Sequence, residues 1–372
     1  MRRLTLGRYG ELTVEQARKR AHQFLGQVAM GTDPVAEKRK QQLRAVTLRQ
    51  AYQAYCLARK GLRASTLRDY DRFINVILAD WADKPITAFT RALVTKRHCE
   101  LGETRGKAYA NLTMRFLRAV LNFAQATYRD DDGHSVLVEN PVAILSQTRA
   151  WYPTVRRQTV IKGHELPAWY QAVLSLKHAD QPDSAHTAAD YLLLLLYTGL
   201  RAREGATLRW EQIDLLDRTL TIPDPKNHQP LTLPLSDYLL ELLSNRRQLA
   251  TTAFVFPGRE EPSQQIEGAR DVRPLVEVKR QVRHVIQRSG VAFTLHDLRR
   301  TFITVADSLD IPAYAIKRLV NHKMNGDVTA GYIISDVERL RVPMQKISDF
   351  LLSTMDAAPN NRVIAFTQQK TR

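Results

Sequence analysis

The sequence predicts a multidomain chain, with an all-α helical bundle followed by a mixed α+β domain that carries a small antiparallel sheet. Three observations predict it. The 372 residues exceed what one ordinary hydrophobic core serves, which suggests two or three domains. Residues 47–141 repeat apolar side chains at helical spacing with almost no strand signal, as a bundle requires. Beyond residue 160, helical stretches flank two short strand-like runs separated by turn formers, the pattern of a hairpin.

The elements follow in order. Leu4–Arg8 reads as a short strand. A helix then starts at Thr13, where Thr13 and Gln16 have capping-box spacing. Its apolar stripe is Val14, Ala17, Ala21, Phe24, Leu25 and Val28, and Gly31 with Asp33-Pro34 ends it. One strand and one helix bury too little to form a domain. In the bundle, one helix is expected to be capped by Ser65, with Leu67, Tyr70, Ile74, Ile77, Leu78 and Trp81 on one face. Another spans Lys107–Tyr128, with Leu112, Phe116, Ala119, Val120 and Phe123 inward. Residues 146–160 are polar, basic and aperiodic, an expected linker. Helices are expected at 164–176, 184–197, 236–248, 272–289, 297–308 and 312–321, with strands Thr219–Pro223 and Leu231–Pro234. The DPKNHQP between the strands suits an antiparallel hairpin. Residues 351–372 read as a polar tail.

Composition narrows the function. The chain is 44% hydrophobic and 25% charged, which is globular rather than disordered. Lys and Arg number 55 against 38 acidic residues, a net charge of +17, and that favours a polyanionic partner, most simply nucleic acid. Charge alone also fits a solvated basic surface. Two cysteines, Cys56 and Cys99, exclude a disulfide framework and a cysteine-rich zinc site. The N-terminus is polar and lacks a secretory pattern. The most apolar stretch, Tyr191–Tyr197, is too short to span a bilayer. A soluble intracellular protein is expected, with no membrane partner.

Four boxes carry chemistry. In YTGLRARE, a Leu-rich helix breaks at Thr198-Gly199, and Arg201 and Glu204 follow on one face. This suits a structural ion pair, or a planar guanidinium fork for a phosphate. Lys226 sits in the hairpin turn, where an exposed lysine is commonplace but an ammonium entering a DNA groove can act as a general acid. In TLHDLRRTF, His296 and Arg299 project together from a helix start, with Leu298 and Phe302 opposite. Asp297 can cap or pair there. LVNH ends another helix at Asn321 and His322, and DVTAGYI carries Tyr332. Taken singly, each box also fits an ordinary core or surface role.

In this order and spacing the boxes TGLRARE, HDLRRTF, LVNH and DVTAGYI resemble those of the tyrosine recombinase (phage integrase) family. The resemblance covers roughly residues 47–350. It implies that Arg201 and Arg299 clamp a scissile phosphate and that His296 and His322 support the transition state. Lys226 would protonate the leaving 5′ oxygen, Tyr332 would be the nucleophile and Glu204 a supporting acid. It also implies a core DNA-binding domain at 47–145 and a catalytic domain at 161–350, and DNA held between them. In the first of these Arg63, Lys107, Arg115 and Arg118 are the candidates to face DNA. Residues 1–40 resemble only the tail of an arm-site-binding domain. The third family box usually reads Leu-Gly-His, and Asn321 stands here for the glycine. Arg300 stands where a histidine is common.

The implied activity is site-specific recombination through a 3′-phosphotyrosine, integrating or excising a mobile element or prophage in the bacterial cytoplasm, at the nucleoid. The implied partners are double-stranded DNA at attachment sites, three further copies in a tetramer, DNA-bending accessory proteins and an excisionase. No metal or other cofactor is implied. The first three boxes offer only Glu204 and Asp297 as carboxylates, too few for a two-metal site. Two alternatives share the fold, a type IB topoisomerase-like enzyme and a catalytically idle DNA-binding regulator. Residues 336–352 resemble an element that docks on a neighbouring subunit, and equally fit a helix packing on its own domain.

Overall fold

The computed structural model describes residues 8–356, apart from 9, 32, 156, 179, 181, 263–269, 276 and 323–335. The chain divides into two units, Met1–Arg156 and Arg157–Arg372. The expected strand Leu4–Arg8 lies almost wholly outside the described residues.

In the first unit, α1 (Val14–Ala29) begins at the capping box: the Thr13 hydroxyl accepts from Gln16 N–H at 3.2 Å, and the Gln16 side chain accepts from Thr13 N–H at 2.9 Å. Its apolar stripe stays largely uncovered, as so small a unit implies. Val14, Leu25 and Val28 are 71%, 64% and 57% exposed, because one further helix is too little to cover it. That helix, α2 (Pro34–Arg44), was not expected. Asp33 accepts from the N–H groups of Val35 and Ala36, and Pro34 takes the first turn. The same Asp-Pro pair that closes one helix therefore opens the next.

The bundle proper comprises α3 (Leu48–Ala58), α4 (Ala64–Arg72), α5 (Ala79–Ala82), α6 (Arg91–Thr104), α7 (Lys107–Thr127) and α8 (Ile144–Gln147). The N-cap of α4 is Arg63, and Ser65 lies inside its first turn. The expected single helix is also interrupted. Phe73–Ile77 form a π turn closed by Leu78 N–H to Phe73 O at 2.8 Å, which re-aims the stripe so that Ile74, Ile77, Leu78 and Trp81 all reach the core. On α7, Phe116 and Val120 are buried, whereas Leu112, expected inward, is 45% exposed and Met114 and Leu117 are inside.

Tyr152 within the expected linker and Ile161 just after it are each held by their own unit. Asn111 on α7 donates to Tyr152 O (2.8 Å) and accepts from Tyr152 N–H (3.2 Å), and the Tyr152 ring lies 4.6 Å from that of His98. Ile161 belongs to the second core, and its N–H reaches the Thr301 hydroxyl at 2.9 Å.

The second unit is built around α10 (Asp183–Thr198), whose residues from Thr187 to Thr198 are all buried. A helix enclosed on every side needs no polar face, and each buried leucine contributes roughly 2 kcal/mol. Around it stand α9 (Leu166–Leu174), α11 (Ala202–Ala206), α12 (Asp237–Gln248), α13 (Lys279–Ser289), α14 (Leu295–Ser308), α15 (Ala313–Leu319) and α16 (Glu338–Asp356). The expected hairpin is present. Strands β2 (Thr219–Ile222) and β3 (Leu231–Pro234) pair antiparallel with Leu220 opposite Leu233, and β1 (Ile213–Asp214) joins the other edge of β2. A second antiparallel pair, β4 (Pro257–Pro262) with β5 (Arg270–Pro274), occupies part of the span expected to be helical from 272. Pro274 has no N–H for a helix interior, and α13 begins only at Lys279.

The two readings of residues 336–352 are decided by burial. On α16, Leu340, Met344, Ile347, Leu351 and Met355 enter the core of their own unit, and Phe350 alone of the expected stripe is exposed, at 37%. Residues 351–356, expected in the tail, belong to this helix. Among the described residues no helix is long and apolar enough to cross a membrane.

Candidate phosphate-binding site

Four helix ends of the second unit build the site, the last turns of α10 and α15 and the first turns of α11 and α14. Helix α10 stops at Gly199, whose φ of +62° is left-handed. A Cβ there would also sit 2.6 Å from the Phe302 ring, so the position requires glycine twice over. Helix α15 stops in a Schellman turn: Asn321 has φ +49°, its N–H reaches Arg318 O at 3.0 Å, and the His322 N–H reaches Lys317 O at 2.8 Å. Such endings leave carbonyls without helical partners.

Arg299 takes one carbonyl from each end. Its side chain rises from α14, where Leu298 and Phe302 are wholly buried. One terminal nitrogen donates to Gly199 O at 2.6 Å and the other to Val320 O. A guanidinium is suited to the negative ends of two helices. These bonds use two of its five N–H donors and leave three for a ligand. Arg299 is 3% exposed, and burial first, then the charge of Arg201, lowers its pKa to about 10. It remains a cation at neutral pH.

Arg201 is the N-cap of α11. Its Nη1 donates to Glu204 Oε1 at 2.7 Å, and its backbone N–H donates to Glu204 Oε2 at 3.0 Å. Glu204 thus holds both the start of the helix and the guanidinium. His296 and His322 are both exposed at the rim of the cluster. Desolvation and then the charges of Arg300, Arg299 and Arg201 push His296 below its ordinary pKa. His322 is lowered by desolvation and then by Arg299, Arg201, His296 and Lys317. Both imidazoles are therefore neutral at neutral pH, ready to donate or accept a proton. An arriving anion would raise both again.

Asp297 anchors the start of α14. Its Oδ2 accepts from the N–H and the hydroxyl of Thr294 at 2.8 Å each, and its Oδ1 accepts from Thr159 at 2.8 Å and from Arg300 at 2.6 Å. Burial pushes this carboxyl up, but the bonds from Thr159, Thr294 and Arg300 outweigh it and the net direction is down. Asp297 both caps and pairs, holding His296 and Arg299 on a fixed first turn.

Of the residues singled out from sequence, Arg201, Glu204, His296, Arg299 and His322 stand together in this cluster. Lys226 is exposed in the β2–β3 loop. Tyr332 and its box lie outside the described residues. Arg63, Lys107, Arg115 and Arg118 belong to the other unit, all exposed. There the Lys107 ammonium lies 6.0 Å from the Tyr152 ring centroid, and the Arg115 guanidinium 5.9 Å from that of Trp151. Sequence reasoning did not anticipate Thr159, or the pairing of Asn227 with Asn321. An asparagine where a helix must end left-handed was the available signal for the latter. Among the described residues, one group has the spacing of a cation site, Asp130, Asp132 and His134 with ligand atoms within 4.8 Å of one another. It belongs to the helical unit, and we assign it no role.

The sequence model of the Phage integrase family matches residues 160–339, and that of an Arm DNA-binding domain matches residues 1–41. Prophage integrase IntF of Escherichia coli K12 is 23% identical, with 97% of this chain and 82% of that protein covered. The integrase of Shigella phage Sf6 is 24% identical, with 94% and 86% covered. Among solved structures, a lambda integrase tetramer bound to a Holliday junction superimposes with a TM-score of 0.58 at 21% identity, covering 85% of this chain and 89% of that one. The Tn1549 transposon integrase in complex with transposon right end DNA gives a TM-score of 0.56 at 17% identity, with 82% and 100% covered.

Proposed function

The chain belongs to the phage integrase family, and from that premise we propose which of its residues perform the chemistry of a site-specific tyrosine recombinase and how. The phenol of Tyr332, once deprotonated, attacks the scissile phosphorus in line. The bond from phosphorus to the 5′ oxygen breaks, and that oxygen takes a proton from Lys226. The products are a 3′-phosphotyrosine and a free 5′ hydroxyl. A second strand's 5′ hydroxyl then attacks the same phosphorus, and the departing tyrosinate is reprotonated. One phosphodiester is exchanged for another with no net loss of bond energy.

Negative charge grows on the non-bridging oxygens during each step. Cationic donors already in place stabilise it without reorganising. Arg299 is held by two helix ends and Arg201 by Glu204, so both guanidinium planes have fixed supports. His296 and His322, neutral beforehand, can share a proton with the phosphate oxygens. The single observation that carries this reading is the buried Arg299, fixed by Gly199 O and Val320 O beside the Glu204-paired Arg201 and two imidazoles, an arrangement that suits an anion.

The substrate is double-stranded DNA at attachment sites, and the working assembly is a tetramer, as the junction-bound lambda integrase is. Backbone phosphates should dominate affinity, so binding should weaken steeply with salt. Accessory DNA-bending proteins and an excisionase would set direction. A nicked suicide substrate bearing the attachment site, incubated without Mg²⁺, should give a covalent protein–DNA adduct. Tyr332→Phe should abolish it. An undiminished adduct from that variant would overturn the assignment of the nucleophile.

A further inference from the structure

The loop between β2 and β3 is tied to the end of α15 by two asparagines. Asn227 Nδ2 donates to the side-chain oxygen of Asn321 at 2.8 Å and to its backbone carbonyl at 3.2 Å. In return Asn321 Nδ2 donates to Asn227 Oδ1 at 3.2 Å and to Gln229 O at 2.9 Å. Asn321 is 9% exposed, and its amide has a partner on every side. Glycine would satisfy the left-handed φ of +49° equally well. What asparagine adds at that position is therefore the bond to the loop. Each partner also has a chemically active neighbour, Lys226 before Asn227 and His322 after Asn321.

We propose that Asn227 and Asn321 are positioning residues for Lys226, clasping the main chain of the loop against the segment that carries His322. The clasp fixes the chain just after the lysine, at Asn227 and Gln229, and leaves its four-carbon arm free, in keeping with its exposure. A proton donor must meet the leaving oxygen only when the P–O bond breaks. An arm hinged on a fixed base can do so, whereas an unanchored loop must search for the geometry. Misplacing a reacting group by about 1 Å can cost on the order of 100-fold in rate. This inference rests on the reading of Lys226 as the proton donor.

The test compares two suicide substrates, one with the natural 5′ oxygen and one with sulfur in that bridging position. A thiolate departs without being protonated, so the sulfur substrate does not need the donor. On the oxygen substrate Lys226→Ala should slow adduct formation by about 100-fold or more. Asn227→Ala and Asn321→Gly should each slow it by about 10- to 100-fold. On the sulfur substrate all three should return to within about two-fold of the parent protein, whereas Arg201→Ala should remain deficient, since charge stabilisation is needed with either leaving group. Adding Asn227→Ala to Lys226→Ala should slow the oxygen reaction no further. Asparagine variants that match the parent on oxygen, or that stay equally slow on sulfur, would overturn the clasp. If instead Lys226→Ala itself is not rescued by sulfur, the proton-donor reading fails and the clasp with it. Absence of any adduct from the parent would place the failure earlier still, in the recombinase chemistry.

Discussion

Arg299 and Lys226 are both cations of one proposed reaction, and the fold treats them oppositely. Arg299 is 3% exposed and joined to Gly199 O and Val320 O, whereas Lys226 is exposed on a loop held through its neighbour. The difference follows from what each must do. A charge that stabilises the transition state works best when it cannot move, and guanidinium keeps its proton even when burial lowers its pKa to about 10. A proton donor has to travel and exchange its proton with water, and burial would impede both.

The sharpest way to break this contrast is to remove each cation and read stability beside cleavage. Arg299→Ala should reduce adduct formation by about 1,000-fold or more. It should also destabilise the protein by roughly 2–4 kcal/mol, since two buried carbonyls lose their donor. Arg299→Lys keeps the charge but cannot span both helix ends, so it should recover stability only in part. Lys226→Ala should leave the stability within about 0.5 kcal/mol of the parent while cleavage falls. Equal destabilisation by the two substitutions would erase the distinction.

Next in size is the support beneath Arg299. Gly199→Ala combines a left-handed φ with a Cβ 2.6 Å from Phe302, and should lower stability by roughly 2–3 kcal/mol in chemical denaturation. Smaller again is the pH response of the cluster. Both histidines have folded pKa values below the ordinary 6.5, so below that pH the unfolded chain binds protons that the folded chain resists. Their contribution is thus intact above pH 6.5 and is lost as pH falls from there towards the folded values. The thermal midpoint should drop between pH 7 and 5.5. Replacing both histidines with glutamine should flatten that slope, as should a bound DNA duplex, whose phosphate raises the folded pKa values. A slope unchanged in the double variant would assign it elsewhere.

The smallest effects belong to the helical unit, whose exposed Lys107 and Arg115 stand over Tyr152 and Trp151. Either change to alanine should alter stability by less than about 0.5 kcal/mol. If these side chains meet phosphates, each change should reduce the salt dependence of DNA binding by about one unit of slope.

Local signals were sufficient wherever the chemistry is local. The Thr13 capping box, the capping or pairing role of Asp297, the β2–β3 hairpin and the burial of Leu298 and Phe302 are all set within a few residues, and all were legible. The π turn at Phe73–Ile77 was not, because only neighbours in space favour an extra residue there. The strand β5 was misjudged for a related reason: Arg270–Pro274 finds its partner in β4, and a propensity scan sees only one strand at a time.

By itself the sequence determined which residue types are available and in what order: two arginines, two histidines, a hairpin lysine, and a glycine where one helix must turn left-handed. The resemblance of the boxes to those of the phage integrase family was legible as well, since the boxes are patterns along the chain. Only the tertiary structure decided which carbonyls hold Arg299, that α16 packs on its own unit, and that Asn321 reaches back across 94 residues to Asn227. Those are long-range contacts between groups that each have many acceptable local partners. The choice among such partners is made by packing, which no stretch of sequence contains on its own.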